Sequence, residues 1–540
     1  MTELAELLLR RRVDALLAPW DRAGPGVTIG VVRDGHLILH RSAGLASLDL
    51  GVPISEATTF RIASVSKQFT CAAILMLAAE GKLHVEDDAR GVLPELPDLG
   101  TPITIAHLMH NTSGIRDMLE IMRMGGADLG QTVTQADLLA GICRQRGLNF
   151  DPGSRYLYSN SNFFLLGLIV ERLSGATLPE FLHHRIFAPL GMTMTRMTPD
   201  TAAPTPGLAT GYIPAGKEWR RARHGFPLGG EGGLVSSVID LALWDMNFVR
   251  HFVGGPSLAA ELETLAPFTN GTPNTYARGL QISSHRGIRT VSHGGLWPGY
   301  KTQFLRAPEA KTTIIVITND GGADPWHLAH HGLDAALDGQ AILAATVPLP
   351  NKTTLEALVG RWVDAERGAT VDVHLNDDGA PIGNTYGVPF RLRPEADGRL
   401  AADRPSRDFA ARLSDDAETL AVELDAGAMA TYRRAPAQAA LPAGLAGTYA
   451  NAEMAATWTL SMDGDAMRVH VSGPIVTTQT WRAIPVSGDL IRIVSPRMLF
   501  ESWIDILVLR DATGRITGLR ADGGRARGVI FARINEQEAA

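Results

Sequence analysis

Lysine is scarce in this chain of 540 residues: six in all, at positions 67, 82, 217, 301, 311 and 352, the other basic side chains being arginines. Cysteine is scarcer, with only Cys71 and Cys143. Two cysteines make neither a disulfide framework nor a thiolate metal site, and Cys71, inside an apolar run, reads as a small buried hydrophobe. No stretch approaches the ~20 apolar residues of a membrane span. The first residues are acidic (Glu3, Glu6) where an export signal would be basic, and Leu7-Leu8-Leu9 is ended by Arg10, so the expected location is cytoplasmic. A basic surplus is also missing. The net charge of −7 gives no electrostatic case for nucleic acid or an anionic membrane. Short arginine runs such as Arg10-Arg11-Arg12 read as solvated surface.

What remains is an ordinary globular composition, 45% hydrophobic and 20% charged, in a chain too long for one core. Val27–Val32 and Leu37–His40 are β-rich around an Asp34-Gly35 turn, which predicts a hairpin. From Ser64 to about Glu80 apolar residues recur at 3–4 spacing and Gly81 supplies the stop, predicting a helix. Further helical patterns lie at 103–110, 135–144, 161–174 and 178–186. Strand patterns return near 280–318. Helices between strands that open and close the domain predict an α+β fold, helices on an antiparallel sheet. Beyond about residue 335, short strands alternate with D-G and G-D turns. Leu355–Trp362 parallels Leu441–Tyr449, a repeat of about 85–90 residues and so domain-sized. We therefore expect a catalytic domain over 1–338 and two small antiparallel β-barrels over 339–440 and 441–540.

Ser64-Val65-Ser66-Lys67 puts a hydroxyl and an amine on one helix face, one turn apart. That is the geometry of a serine nucleophile with lysine as its base. With 23 serines and six lysines, about 0.26 chance matches are expected, so the motif gains weight only with partners. Tyr158-Ser159-Asn160, just before an apolar helix, offers a hydroxyl to relay a proton and an amide to orient Lys67 or the substrate. His293-Gly294-Gly295, at the entry to a predicted strand, would let a substrate backbone lie against the strand edge. Short patterns recur by chance: Tyr449-Ala450-Asn451, His285-Arg286-Gly287 and His330-His331-Gly332 fit the same forms, and Tyr449 reads as barrel core beside its counterpart Trp362.

Order and context together make the first 335 or so residues resemble the penicillin-recognising serine hydrolases, the group of DD-peptidases, class C β-lactamases and related esterases. Phe60–Thr70, Ile103–Gly114, Tyr158-Ser159-Asn160, Gly232–Ser237 and His293-Gly294-Gly295 carry the likeness. Within that group Ser64–Cys71, the His-Gly-Gly and the two appended barrels resemble the D-stereospecific aminopeptidases, as do Arg510–Gly518 and Ala526–Val529.

The resemblance implies a β-lactamase/transpeptidase-like fold and an acyl-enzyme. Ser64 would be the nucleophile, Lys67 the base, Tyr158 the proton relay, Asn160 an orienting amide and His293 the third motif. The backbone N–H groups of Ser64 and Leu296 would form the oxyanion hole, with Gly295 lining the substrate. It implies release of N-terminal D-residues from small peptide or amide substrates, without cofactor or metal; a homodimer would fit the family, although no residue argues for one. An esterase or amidase without free-amine specificity is the alternative, and a penicillin-binding or sensing protein that acylates and stalls a third. A loop of the last domain near 473–482 is expected to approach the site. There Gln479 stands where an acid should meet the substrate's amine; Glu231 or Asp505 are the substitutes considered. Ala63 is a minor variation.

Overall fold

The turn at Asp34-Gly35 folds with φ of 51° and 79° at its two central residues, the pair of positive values that a tight hairpin turn requires. It joins β1 (Val27–Arg33) to β2 (His36–Ala43). The computed structural model describes residues 3–20, 23–127, 130–337, 347–404, 409–424, 428–473, 479–495 and 502–534. The hairpin is completed into a six-stranded antiparallel sheet by β3 (Gln281–His285), β4 (Ile288–Trp297), β5 (Tyr300–Ala307) and β6 (Thr312–Thr318), in the order β3-β4-β5-β6-β1-β2. Every residue of β6 is buried, and its alternation serves two cores. Ile314 and Val316 pack with the helices Glu3–Leu17 and Pro325–Leu337 on one face. Ile315 and Ile317 turn to the helical body on the other.

That helical body centres on the helix Lys67–Ala79, in which every residue from Lys67 to Leu77 is buried. The 3–4 spacing predicts one apolar face, whereas the structure encloses the helix all round. Its polar residues are accordingly bonded inside: Trp244 Nε1 donates to Gln68 Oε1 at 2.7 Å, and Thr70 Oγ1 to the Gly230 carbonyl at 2.7 Å. No helix of the described residues is long and apolar enough to cross a membrane.

Two closed antiparallel barrels of eight strands follow, over 360–434 and 447–534. They are built on the same local device. Trp362 Nε1 donates to the Leu358 carbonyl, and Tyr449 Oη to that of Leu445, each four residues back. Arg434 lies over the Trp362 ring and Arg533 over that of Tyr449. Gly360 and Gly447 give each guanidinium room, since a Cβ there would come within 2.9 Å of it.

The barrels join through a buried charge cluster. Arg492 of the second barrel donates to Asp372 of the first at 2.7 and 2.9 Å and to Asp505 at 3.3 Å, and Asp505 accepts from the Thr370 N–H and hydroxyl. Burial raises the Asp505 carboxyl to about 6, and Arg492 opposes that shift. Removing the guanidinium strands a carboxylate that has no solvent exposure. Arg492→Met is therefore expected to lower stability by about 3–5 kcal/mol at pH 8 in urea denaturation followed by tryptophan fluorescence. The loss should shrink as the pH falls through the raised Asp505 pKa and the carboxyl takes up its proton.

Candidate active site

Ser64 sits in a 3-10 turn, Ala63–Ser66, immediately ahead of the helix that Lys67 begins. The sequence pattern predicts α-helix from Ser64; the tighter turn instead eclipses residues three apart and sets the two side chains face to face. Ala63 adopts φ of 48°, a conformation that side chains seldom take and that concentrates at functional sites. Lys67 is fully buried. Its Nζ donates to Ser64 Oγ at 3.1 Å, Asn160 Oδ1 at 3.0 Å and the Glu231 carbonyl at 2.6 Å. Burial pulls its ammonium down to about 7, against the opposing pull of Glu231 and Asp117.

Asn160 is held by a residue that sequence reasoning missed. Asp117 Oδ2 accepts from the Asn160 backbone N–H at 2.6 Å and from its Nδ2 at 2.9 Å. Its other oxygen caps the helix Met118–Met124 by accepting from Leu119 and Glu120 N–H. The segment that carried part of the family likeness, Ile103–Gly114, has its reason here. Asn111 Oδ1 accepts from the Ser159 N–H and from Asn162 Nδ2, fixing the turn that presents Tyr158. The Tyr158 hydroxyl engages Ser64; burial raises its pKa, and Ser64 partly offsets the shift.

His293 lies within β4, not at a strand entry as the pattern predicts. β3 pairs with β4 only as far as Ser292, so His293–Trp297 lack a strand partner on that side among the described residues. Gly295 abuts the turn that carries Ser64: a Cβ there would come within 2.2 Å of the Ile62 carbonyl. The His293 Nδ1 faces the Gly294 carbonyl at 2.6 Å, so it carries the proton, and Nε2 accepts from the Tyr276 hydroxyl at 2.9 Å. Burial lowers this imidazole to about 3, with the Lys67 charge adding to the effect, so His293 is neutral at physiological pH. Tyr276 is a second residue the sequence reading passed over.

These groups open on a cavity of about 940 Å³ lined by Ser64, Tyr158, Asn160, His293, Gly295 and Leu296, and by residues of both barrels. Gln479 opens the strand Gln479–Ser487; it lines the cavity but its Oε1 accepts from Trp481 Nε1. Residues 474–478 of the expected loop lie outside the described residues. Glu231 lines the cavity, with Oε1 accepting from the Gly229 N–H and Oε2 lacking a hydrogen-bond partner. Burial raises its pKa. Asp505 is locked in the barrel junction and takes no part in the cavity, which removes it as a substitute acid. Of the chance patterns, Tyr449 is barrel core, while His285 bonds Asp334 and His330 faces the Trp326 carbonyl, away from the site.

A different loop of the second barrel reaches the site. The Arg525 carbonyl accepts from the Asp117 N–H and from Asn149 Nδ2, both at 3.1 Å, and its guanidinium lies 4.8 Å over the Tyr158 ring. Glu453 ties the same barrel to Arg116 at 2.7 Å, and Trp458 Nε1 donates to the Met124 carbonyl at 2.9 Å. Ile121 and Met124 enter the barrel's apolar core. Among the described residues no group of three or more His, Cys, Asp or Glu could hold a metal ion.

Comparison with known proteins accords with this geometry. The beta-lactamase family model matches residues 9–337. A D-aminopeptidase of Cereibacter sphaeroides (strain KD131) is 30% identical over 97% of this chain and 99% of its own. Another from Brucella anthropi is 27% identical over 96% of each. The octameric penicillin-binding protein homologue from Pyrococcus abyssi superposes with a TM-score of 0.56 and 22% identity, over 79% of this chain and 99% of its own, which shows the shared fold. The chain belongs to the beta-lactamase family. It is a serine hydrolase, and its likeness to the D-aminopeptidases extends through both barrels.

Asp117→Asn leaves the helix cap in place but turns an amide toward the two Asn160 donors. A loss of about 10–100-fold in turnover is expected, from buried hydrogen bonds left unmade. Steady-state kinetics on any good substrate, beside a thermal melt that moves by only a few degrees, check this.

Proposed function

We propose that the protein is a D-stereospecific serine aminopeptidase that hydrolyses small peptides, amides or esters carrying a free N-terminal D-residue. The observation that carries the chemistry is the 3.1 Å contact between Ser64 Oγ and an amine that burial keeps near neutrality. Deprotonated Lys67 takes the Ser64 proton as Oγ attacks the substrate carbonyl. The developing oxyanion meets the backbone N–H groups of Ser64 and Leu296, each such donor being typically worth about 3–4 kcal/mol. Tyr158, against Ser64, passes the proton to the leaving nitrogen, and the C–N bond breaks to give the Ser64 ester. Water, deprotonated through the same pair, then attacks the ester and frees the amino acid. Asn160 holds Lys67 throughout, and neutral His293 orients Tyr276 beside Tyr158.

The D-specific substrate class rests on full-length likeness to the two D-aminopeptidases. With Gln479 uncharged and engaged by Trp481, Glu231 is the cavity acid we assign to the substrate's ammonium, its enclosed and unbonded Oε2 turning toward the cavity to meet it. A cytoplasmic location and a homodimeric assembly accompany this reading on the strength of sequence and family alone.

Hydrolysis of D-Ala p-nitroanilide is expected to exceed that of the L isomer and of N-acetyl-D-Ala p-nitroanilide by about 100-fold or more, a difference of about 2.7 kcal/mol in transition-state binding. Ser64→Ala should abolish turnover. Ester cleavage without stereochemical bias would overturn the reading, and a stable adduct on Ser64 without turnover would mark a penicillin-binding protein instead.

A further inference from the structure

Arg525 is the second barrel's most intimate contribution to the site, and its side chain is not what docks the loop there. The carbonyl of the same residue already makes the two hydrogen bonds that dock the loop, to Asp117 and Asn149. The guanidinium itself lies over the Tyr158 ring and lines the cavity. Among the described residues it has no hydrogen-bond or ion-pair partner. The acids nearest to it are spoken for: Asp117 accepts from Asn160, Leu119 and Glu120, and Glu120 pairs with Arg123 at 2.6 Å. Asp117 and Glu120 supply negative charge near the guanidinium and raise its pKa against the effect of burial, but neither accepts a hydrogen bond from it, so its planar fork of donors stays open to a carboxylate that enters the cavity. Eight Lys and Arg side chains line the cavity against six Asp and Glu, a positive balance inside a chain of net charge −7.

We propose that Arg525 binds the C-terminal carboxylate of a short peptide substrate, so that the preferred leaving groups are free amino acids. This rests on the aminopeptidase reading above. The direction follows from Tyr158. Its hydroxyl lies against Ser64 and hands the proton to the leaving nitrogen; of the two cations over its ring, Lys67 is enclosed while Arg525 lines the open cavity, where the part of the substrate beyond that nitrogen must lie. In a dipeptide the carboxylate is one carbon away from that nitrogen. His293 is neutral and bonded to Tyr276 and Gly294, so it offers no charge for this purpose. A bidentate guanidinium–carboxylate pair in a partly closed cavity supplies both charge and orientation.

The test compares D-Ala-Gly, D-Ala-glycinamide and D-Ala p-nitroanilide on the full-length enzyme and its Arg525→Ala and Arg525→Lys variants. Arg525→Ala should lose about 10–100-fold in kcat/KM on D-Ala-Gly, mostly through KM, and less than about 3-fold on the two substrates without a carboxylate. Arg525→Lys should recover part of the loss, and raised salt should weaken D-Ala-Gly alone. Equal losses on all three substrates would overturn the proposal and make Arg525 a positioning residue for Tyr158; no loss on any would overturn it as well. A wild-type enzyme that cleaves none of the three, or prefers their L forms, would remove the aminopeptidase reading first and the proposal with it.

Discussion

Everything at this site follows from holding one amine where water cannot reach it. An exposed lysine carries its proton to a pH well above 10 and cannot serve as a base at neutrality. Lys67 is enclosed on a helix whose sides are all buried, and desolvation makes its charged form expensive. Three acceptors converge on Nζ, at Ser64, Asn160 and the Glu231 carbonyl. They keep the amine in place while burial brings its two protonation states near balance. The aromatic rings of Tyr158 and Phe163, 4.8 and 5.1 Å from Nζ, complete the enclosure.

The enclosure is assembled from parts distant in sequence. Asn160 depends on Asp117, and Asp117 depends in turn on the second barrel, whose Arg525 carbonyl accepts from its backbone N–H. The helix that Asp117 caps is itself half-owned by that barrel, through Met124, Ile121 and the Arg116–Glu453 pair. The second barrel is thus a structural partner of the residues around Ser64. One consequence is that a change in the backbone of the 523–528 loop reaches Lys67 through Asp117 and Asn160.

The hairpin turn, the sheet and the two barrels were legible because each rests on local chemistry: a D-G turn, alternating strands, a recurrent aromatic–arginine device. Ser64, Lys67, Tyr158, Asn160 and His293 could be nominated because they stand in short ordered motifs; Ser64, Tyr158, Asn160 and His293 line one cavity, and Lys67 lies buried behind it, bonded to Ser64 and Asn160. Asp117, Tyr276 and Arg525 could not be. Each acts through a contact across the fold, and an isolated Asp, Tyr or Arg in a chain of this length carries no local sign of such a contact. The same reasoning explains the misplaced acid. Asp505 sits on a plausible strand, yet its partners Thr370 and Arg492 lie 135 and 13 residues away in sequence. Periodicity also understated the burial of the Lys67 helix, since a pattern of apolar spacing does not report neighbours on the polar side.

With six lysines in the chain, the titration of Lys67 can be observed directly. The enzyme would be labelled with lysine carrying 13C at Cε, its spectrum followed from pH 5 to 11, and the Lys67 signal assigned by its absence in Lys67→Gln. Lys301, half-buried and donating to the Ala323 carbonyl, is also lowered and is assigned in the same way. The account predicts that Lys67 titrates near 7. A Lys67 signal that holds its proton beyond about pH 9.5, close to an exposed amine, would contradict it.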